Sequence, residues 1–137
     1  DSILVSPDSG GLSRIIEVSK LLDNAPYVSL EKKRDHKTGD IISSILEQDI
    51  KSRCFLIDDM ITSGGTVIKA VEQLKKKGAK KIYVFAIHGI FSGNASQLLQ
   101  DAEIKNVYIT NSVPIDREKE FPKLEVLALD AIFGKVI

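Results

Sequence analysis

Read for its alternation of apolar and polar positions, the chain repeats one kind of unit: a short run of buried-strand type, a small polar turn, and a helix-spaced segment with an apolar stripe. Ile3-Leu4-Val5 is the first run, Ser6-Pro7-Asp8-Ser9-Gly10-Gly11 is the turn at its carboxyl end, and Leu12, Ile15, Ile16 and Leu22 mark the helix that follows. Asp23-Asn24 closes that helix, and beyond Pro26 the segment Tyr27 to Lys32 predicts a second strand. Lys33 to Asp40 is densely charged without a period and predicts an exposed loop, whereas Ile41 to Ile50 fits either an edge strand or an irregular crossover. Cys54 to Ile57 predicts a third strand. Its helix carries Val67, Val71 and Leu74 on one face and ends in Lys75-Lys76-Lys77-Gly78, a solvated end with cations at the negative pole and a glycine cap. Ile82 to Ile87 and Val107 to Ile109 predict two more strands with a helix over about 94–102 between them, and Leu124, Leu127, Ala128, Ala131 and Ile132 predict a last helix.

Strands alternating with helices across short loops argue for an α/β fold, a doubly wound parallel sheet of about five strands with helices on both faces. The order 2-1-3-4-5 sets the ends of strands 1 and 3 side by side at the switch point, where such sheets take their ligands. Those ends are Asp8 to Gly11 and Asp58 to Thr66. With 137 residues, no internal repeat and no low-complexity linker, residues 1–137 make one domain.

Composition narrows the partners. Nineteen basic and nineteen acidic residues cancel, which points away from nucleic acid and anionic membranes. No apolar run approaches bilayer length, and the single cysteine, Cys54, opens an apolar strand and reads as a core residue. The expected setting is cytoplasmic. The chain begins at Asp1 and enters a strand almost at once, which leads us to expect a domain of a longer protein.

The candidate chemistry lies in Cys54-Phe55-Leu56-Ile57-Asp58-Asp59-Met60-Ile61-Thr62-Ser63-Gly64-Gly65-Thr66. Gly64 and Gly65 let backbone amides approach a ligand, Thr62, Ser63 and Thr66 add hydroxyl donors, and the next helix adds unpaired N–H groups: a cradle for a phosphate monoester. Asp58 and Asp59, at the strand end, can accept hydrogen bonds from vicinal hydroxyls or reach a hydrated divalent cation. Phosphate on one side and a diol on the other describe a phosphorylated pentose. No Gly-x-x-x-x-Gly-Lys-Ser/Thr occurs, so this is not a Walker A loop.

The same string resembles the phosphoribosyl pyrophosphate motif shared by type I phosphoribosyltransferases and phosphoribosyl pyrophosphate synthetases. Four further segments are similar to the synthetases (ribose-phosphate diphosphokinases) in particular: Val5 to Gly11, Glu31-Lys32-Lys33-Arg34, His88-Gly89-Ile90-Phe91-Ser92-Gly93-Asn94-Ala95 and Thr110-Asn111-Ser112-Val113-Pro114. The resemblance implies a phosphoribosyltransferase-like fold and the carboxyl-terminal half of a longer synthetase that is a homo-oligomer. The implied reaction transfers diphosphate from ATP to the anomeric hydroxyl of ribose 5-phosphate, with Mg2+. It implies that Thr62, Ser63, Gly64, Gly65 and Thr66 hold the 5-phosphate and that Asp58 and Asp59 bind the ribose hydroxyls. Asp8 then stands on the magnesium side, and Lys32 and Arg34 steady charge on the transferring diphosphate.

The chain departs from the family in two respects. Many synthetases read Asp-Thr-Ala-Gly-Thr where this chain has Thr62-Ser63-Gly64-Gly65-Thr66, and neither His36 nor His88 matches the magnesium-binding histidine that the amino-terminal half supplies. Both histidines read as solvated or structural. Three other readings share features with the chain: a phosphoribosyltransferase, a non-catalytic synthetase-associated regulatory subunit, and a receiver domain, the last having no use for Thr62 to Thr66.

Overall fold

The computed structural model describes residues 1–34, 41–45 and 50–135, with 31–34 and 41–45 described by their backbone. Seven strands form one sheet: β1 (Ser2–Ser6), β2 (Tyr27–Arg34), β3 (Ile41–Ile45), β4 (Arg53–Ile61), β5 (Lys81–Gly89), β6 (Asn106–Thr110) and β7 (Leu124–Leu127). Their order is β3-β2-β1-β4-β5-β6-β7, and every pairing is parallel except β2 with β3. The expected five-strand order is therefore the middle of the sheet, widened by one strand at each edge.

One added strand decides between two open readings and the other corrects an expectation. Ile41 to Ile45 is an antiparallel edge strand, with Leu30 opposite Ile45 and Arg34 opposite Ile41. β2 accordingly runs through Lys33 and Arg34, which the charge density assigns to a loop; the rest of that charged segment, His36 included, lies outside the described residues. Leu124 to Leu127 is not the first turn of a helix but a strand beside β6, Val107 opposite Leu124 and Thr110 opposite Leu127. Only Asp130–Phe133 of the expected last helix is helical, as the short α4.

The three longer helices, α1 (Leu12–Leu21), α2 (Gly65–Lys76) and α3 (Ala95–Asp101), divide between the two faces. Val67, Ala70, Val71 and Leu74 recur at i, i+3, i+4 and i+7 along α2, and with Ala95 and Leu99 of α3 they join the core formed by Cys54, Leu56, Ile82, Val84, Val107 and Ile109. Each fully buried Val or Leu there contributes about 1.5–3 kcal/mol. The opposite face takes α1, whose Val18 and the adjoining Leu22 line an apolar hollow with Leu4, Phe55, Ile57 and Phe85. Beside it runs a half-buried aromatic row in which Phe55 meets Tyr83 at 5.5 Å and Phe85 stacks on Tyr108 at 4.8 Å. Among the described residues no helix is long and apolar enough to cross a membrane.

The turn after β1 is fixed by close approach. A Cβ on Gly11 would collide with the hydroxyl of Ser6, a fully buried side chain that donates to the Asp8 carbonyl at 2.8 Å. Neither partner can retreat cheaply in so tight a turn. Gly11→Ala is expected to cost about 1–3 kcal/mol of stability by overpacking, read as a lowered urea midpoint at unchanged slope; a midpoint equal to wild type would show that the turn relaxes freely.

Candidate functional site

β1 and β4 lie side by side and parallel, Ser2 opposite Arg53 and Val5 opposite Leu56, so the segments that leave their carboxyl ends emerge from the same edge of the sheet. The segment after β4 makes the larger site. Gly64 takes a left-handed conformation, φ 79°, which a side chain disfavours, and so turns the chain from strand into helix in three residues. The first helical bond of α2 runs from the Ile68 amide to the Gly64 carbonyl at 2.9 Å. The amides of Gly65, Thr66 and Val67 therefore precede the helical ladder, and no side chain caps them. They border a cavity of about 220 Å³ lined by Asp58 and residues 60–67. That is below the roughly 300–1,000 Å³ of sites for drug-sized ligands and suits a small anion.

The loop is held from outside. The amides of Ile90 and Phe91 donate to the Ile61 carbonyl at 2.9 and 3.2 Å, and the amide of Ser92 donates to the Thr62 carbonyl at 2.9 Å. Phe91 itself is buried, edge-on to Phe121. The segment from His88 to Ser92 thus buttresses the cradle.

Of the two carboxylates, Asp58 lines the cavity and Asp59 follows it outside that lining. Asp58 Oδ1 accepts from the Asp59 amide and Asp59 Oδ1 from the Met60 amide, each at 2.8 Å, so each side chain is tied to the backbone of its neighbour. Arg14, in the first turn of α1, forks across both: Nη1 lies 3.4 Å from Asp58 Oδ1 and Nη2 2.9 Å from Asp59 Oδ2. Asp58 is the more enclosed, 17% exposed against 52% for Asp59. Burial pushes the Asp58 carboxyl up to about 6, with Asp59 adding to the rise and the Asp59 amide and Arg14 opposing it. Burial acts on Asp59 in the same sense but is outweighed by hydrogen bonds from Asp58 and the Met60 amide and by Arg14, which hold it below the ordinary carboxylate range. The pair divides its protonation, Asp58 keeping its proton longest.

The first loop supplies Asp8. Its carbonyl accepts the hydroxyls of Ser6 and Ser29, both at 2.8 Å, and its Oδ1 accepts the Gly11 amide at 3.2 Å. Among the described residues no three acidic, histidine or cysteine side chains gather into a cage. Magnesium bound through one carboxylate, waters and substrate phosphates requires none, so the hard oxygen donor of Asp8 fits that ion.

Comparison with known proteins turns this geometry into a family. Residues 39–137 match the model of the phosphoribosyl synthetase-associated domain. The chain belongs to that family. A ribose-phosphate pyrophosphokinase of Gloeobacter violaceus is 36% identical over 138 residues, covering 100% of this chain and 41% of its own length. One of Haemophilus influenzae is 37% identical over 136 residues, 98% of this chain and 43% of its own. The crystal structure of a phosphoribosylpyrophosphate synthetase from Mycobacterium smegmatis matches with a TM-score of 0.88 at 34% identity, over 99% of this chain and 43% of that one. An orotate phosphoribosyltransferase from Aeropyrum pernix shares the fold at TM-score 0.61 and 18% identity, over 98% of this chain and 64% of that one. The chain spans about two-fifths of the length of the synthetase relatives it matches.

Within this phosphoribosyl synthetase-associated domain, the structure brings Asp58 and residues 62–66 together around one cavity, leaves Asp59 outside its lining beside Asp58, and sets Asp8 just past the neighbouring strand end. Lys32 and Arg34 lie on the part of β2 that outruns β1. The β1 pairing stops at Ser6 opposite Ser29, and β2 continues to Arg34 against β3 alone. At about 3.3 Å per residue the arm carries Lys32 and Arg34 roughly 10 and 17 Å past the end of β1, on the edge that bears both loops. His88 Nδ1 is 2.8 Å from the Ser112 hydroxyl, which donates to the Ile87 carbonyl, a structural arrangement as expected. Cys54 is fully buried, and burial raises its thiol to about 11, which suits a core residue and not a nucleophile. Arg14 is the residue that sequence reasoning missed. Its one signal was a cation between Leu12 and Ile15, where helical spacing alone reads as a boundary of the apolar stripe.

The Asp58 shift has a thermodynamic consequence. An unfolded aspartate releases its proton near 3.8, whereas the folded Asp58 holds it to about 6, so the fold binds more protons in that window and loses stability as pH rises through it. Asp59, shifted the other way, acts below the window. Allowing for solvent screening of a partly exposed group, the loss is on the order of 1 kcal/mol. Denaturation midpoints at about pH 4 and pH 7 should show this decline in wild type and not in Asp58→Asn; parallel profiles would contradict the assigned burial.

Proposed function

We propose that this domain binds ribose 5-phosphate and, as part of a longer synthetase, makes phosphoribosyl pyrophosphate from it with ATP. The observation that carries the reading is the pairing, in the lining of one small cavity, of uncapped helix amides with a carboxylate. An N-terminus of this kind favours a phosphate dianion through its N–H groups and its dipole. A carboxylate in the same place would repel that phosphate, and its use is to accept hydroxyl protons. Thr62, Ser63, Gly64, Gly65 and Thr66 hold the 5-phosphate, while Asp58 and Asp59 take the 2- and 3-hydroxyls. The synthetase relatives printed above support the same assignment.

With both ends of the pentose held, the anomeric hydroxyl is the reacting atom. Its oxygen bonds to the β-phosphorus of ATP, the bond from that phosphorus to the α,β-bridging oxygen breaks, the hydroxyl proton is lost, and AMP leaves. Such a transfer asks the protein for alignment and fixed positive charge. Lys32 and Arg34, on the β2–β3 arm, supply the charge. Asp8 would hold a magnesium ion, which would supply neutralising charge to the diphosphate oxygens. Adenine contacts and a second magnesium ligand come from the remainder of the longer protein, which works in the cytoplasm as a homo-oligomer, and the domain alone binds the pentose phosphate without turnover. The buried, reduced Cys54 suits that compartment.

Calorimetry of the chain with ribose 5-phosphate and magnesium tests the site. Asp59→Ala should weaken binding about ten-fold or more, as expected for a lost hydrogen bond to a charged group, and Thr66→Val about five-fold. Binding untouched by both changes would refute the assignment. In the longer protein, replacing Lys32 and Arg34 together by alanine should abolish turnover with ribose 5-phosphate binding within about two-fold of wild type; equal losses of both would contradict their role.

A further inference from the structure

Arg14 joins the two loops. Its backbone is anchored by the first: Gly11 immediately precedes α1, with its amide held by Asp8 Oδ1 and no room for a Cβ beside Ser6. Its guanidinium reaches the second, 44 and 45 residues further on, and gives one nitrogen to each of two consecutive carboxylates. The usual bidentate arrangement puts both nitrogens on one carboxylate and fixes that group only. Here the planar fork fixes the angle between two. Adjacent carboxylates at a strand end repel; each is tied to one backbone amide, and the shared cation adds the second tie that sets one against the other.

An exposed ion pair by itself contributes little. What sets this one apart is its place, on the two groups assigned to the sugar hydroxyls and on nothing in the phosphate cradle. We propose that Arg14 is a positioning residue that holds Asp58 and Asp59 at the spacing of a vicinal diol, so that preference for a ribose over a 2-deoxyribose phosphate depends on it. The inference rests on the pentose-phosphate reading given above. The guanidinium is about one-third exposed, bonds both carboxylates and is not among the residues that line the cavity, so its effect passes through the carboxylates.

Three probes separate this role from general support of the fold: ribose 5-phosphate, 2-deoxyribose 5-phosphate and orthophosphate, each titrated into wild type, Arg14→Gln and Asp59→Asn. Wild type should prefer the ribose ester by about ten-fold, the value of one hydrogen bond to a charged acceptor. Arg14→Gln should reduce that preference to about two-fold or less while orthophosphate binding stays within about three-fold of wild type. A preference abolished by Asp59→Asn but intact in Arg14→Gln overturns the positioning role and leaves the pentose site standing. Parallel loss of all three ligands in Arg14→Gln also overturns it, since that is what a structural residue would do. A wild type with no preference overturns the pentose reading and the positioning role together.

Discussion

The parallel pairing of β1 with β4 is the constraint from which the site follows. Parallel neighbours end at the same edge, and the crossover that joins them must leave and return over a face. Here α1 crosses a face to reach β2, the chain runs on through the edge strand β3 before β4, and the two glycine-bearing turns, Asp8 to Gly11 and Thr62 to Gly65, stand beside one another. Neither turn has the pairing of charge that the other provides. The first contributes Asp8 and, through α1, the Arg14 cation; the second contributes two carboxylates and the open amides of α2. Slipping the β1–β4 register by one residue would turn each carboxylate to the face opposite its present one and part it from Arg14.

Electrostatics in the crevice are arranged as alternating signs over short distances. The start of α2 carries partial positive charge, Asp58 and Asp59 bring negative charge with Asp58 holding its proton up to about 6, and Arg14 closes the row. The chain has no net charge to attract a phosphorylated ligand from afar, so recognition rests on these local dipoles and ions. The cradle stays open because the helix cap that most sequences fill with serine, threonine or aspartate is here Gly64, which offers no side chain to occupy the amides.

Much of this was legible in the residues. The five central strands, their order and the meeting of two loops follow from alternating periods and from the rule for switch points, and the carboxylates and the glycine loop could be read from residue type alone. The failures share a cause. Leu124, Leu127 and Ala128 recur at helical spacing, but four residues beside an exposed edge of β6 gain more from ladder hydrogen bonds than from one turn of helix. Lys33 and Arg34 read as loop because charge hides a strand whose partner, β3, could only be guessed. Arg14 was invisible because its partners lie 44 and 45 residues away and nothing local marks a long-range fork.

The central claim is that one ligand spans the uncapped amides and the carboxylates, and amide chemical shifts test it most directly. With the chain labelled in its backbone nitrogens, orthophosphate should move the resonances of Ser63, Gly64, Gly65 and Thr66 and little else. Ribose 5-phosphate should move the same set together with Asp59 and Met60, whose amides donate to the Asp58 and Asp59 carboxylates. Shifts confined to the lysine-rich end of α2, or a response to ribose 5-phosphate no wider than that to orthophosphate, would contradict it.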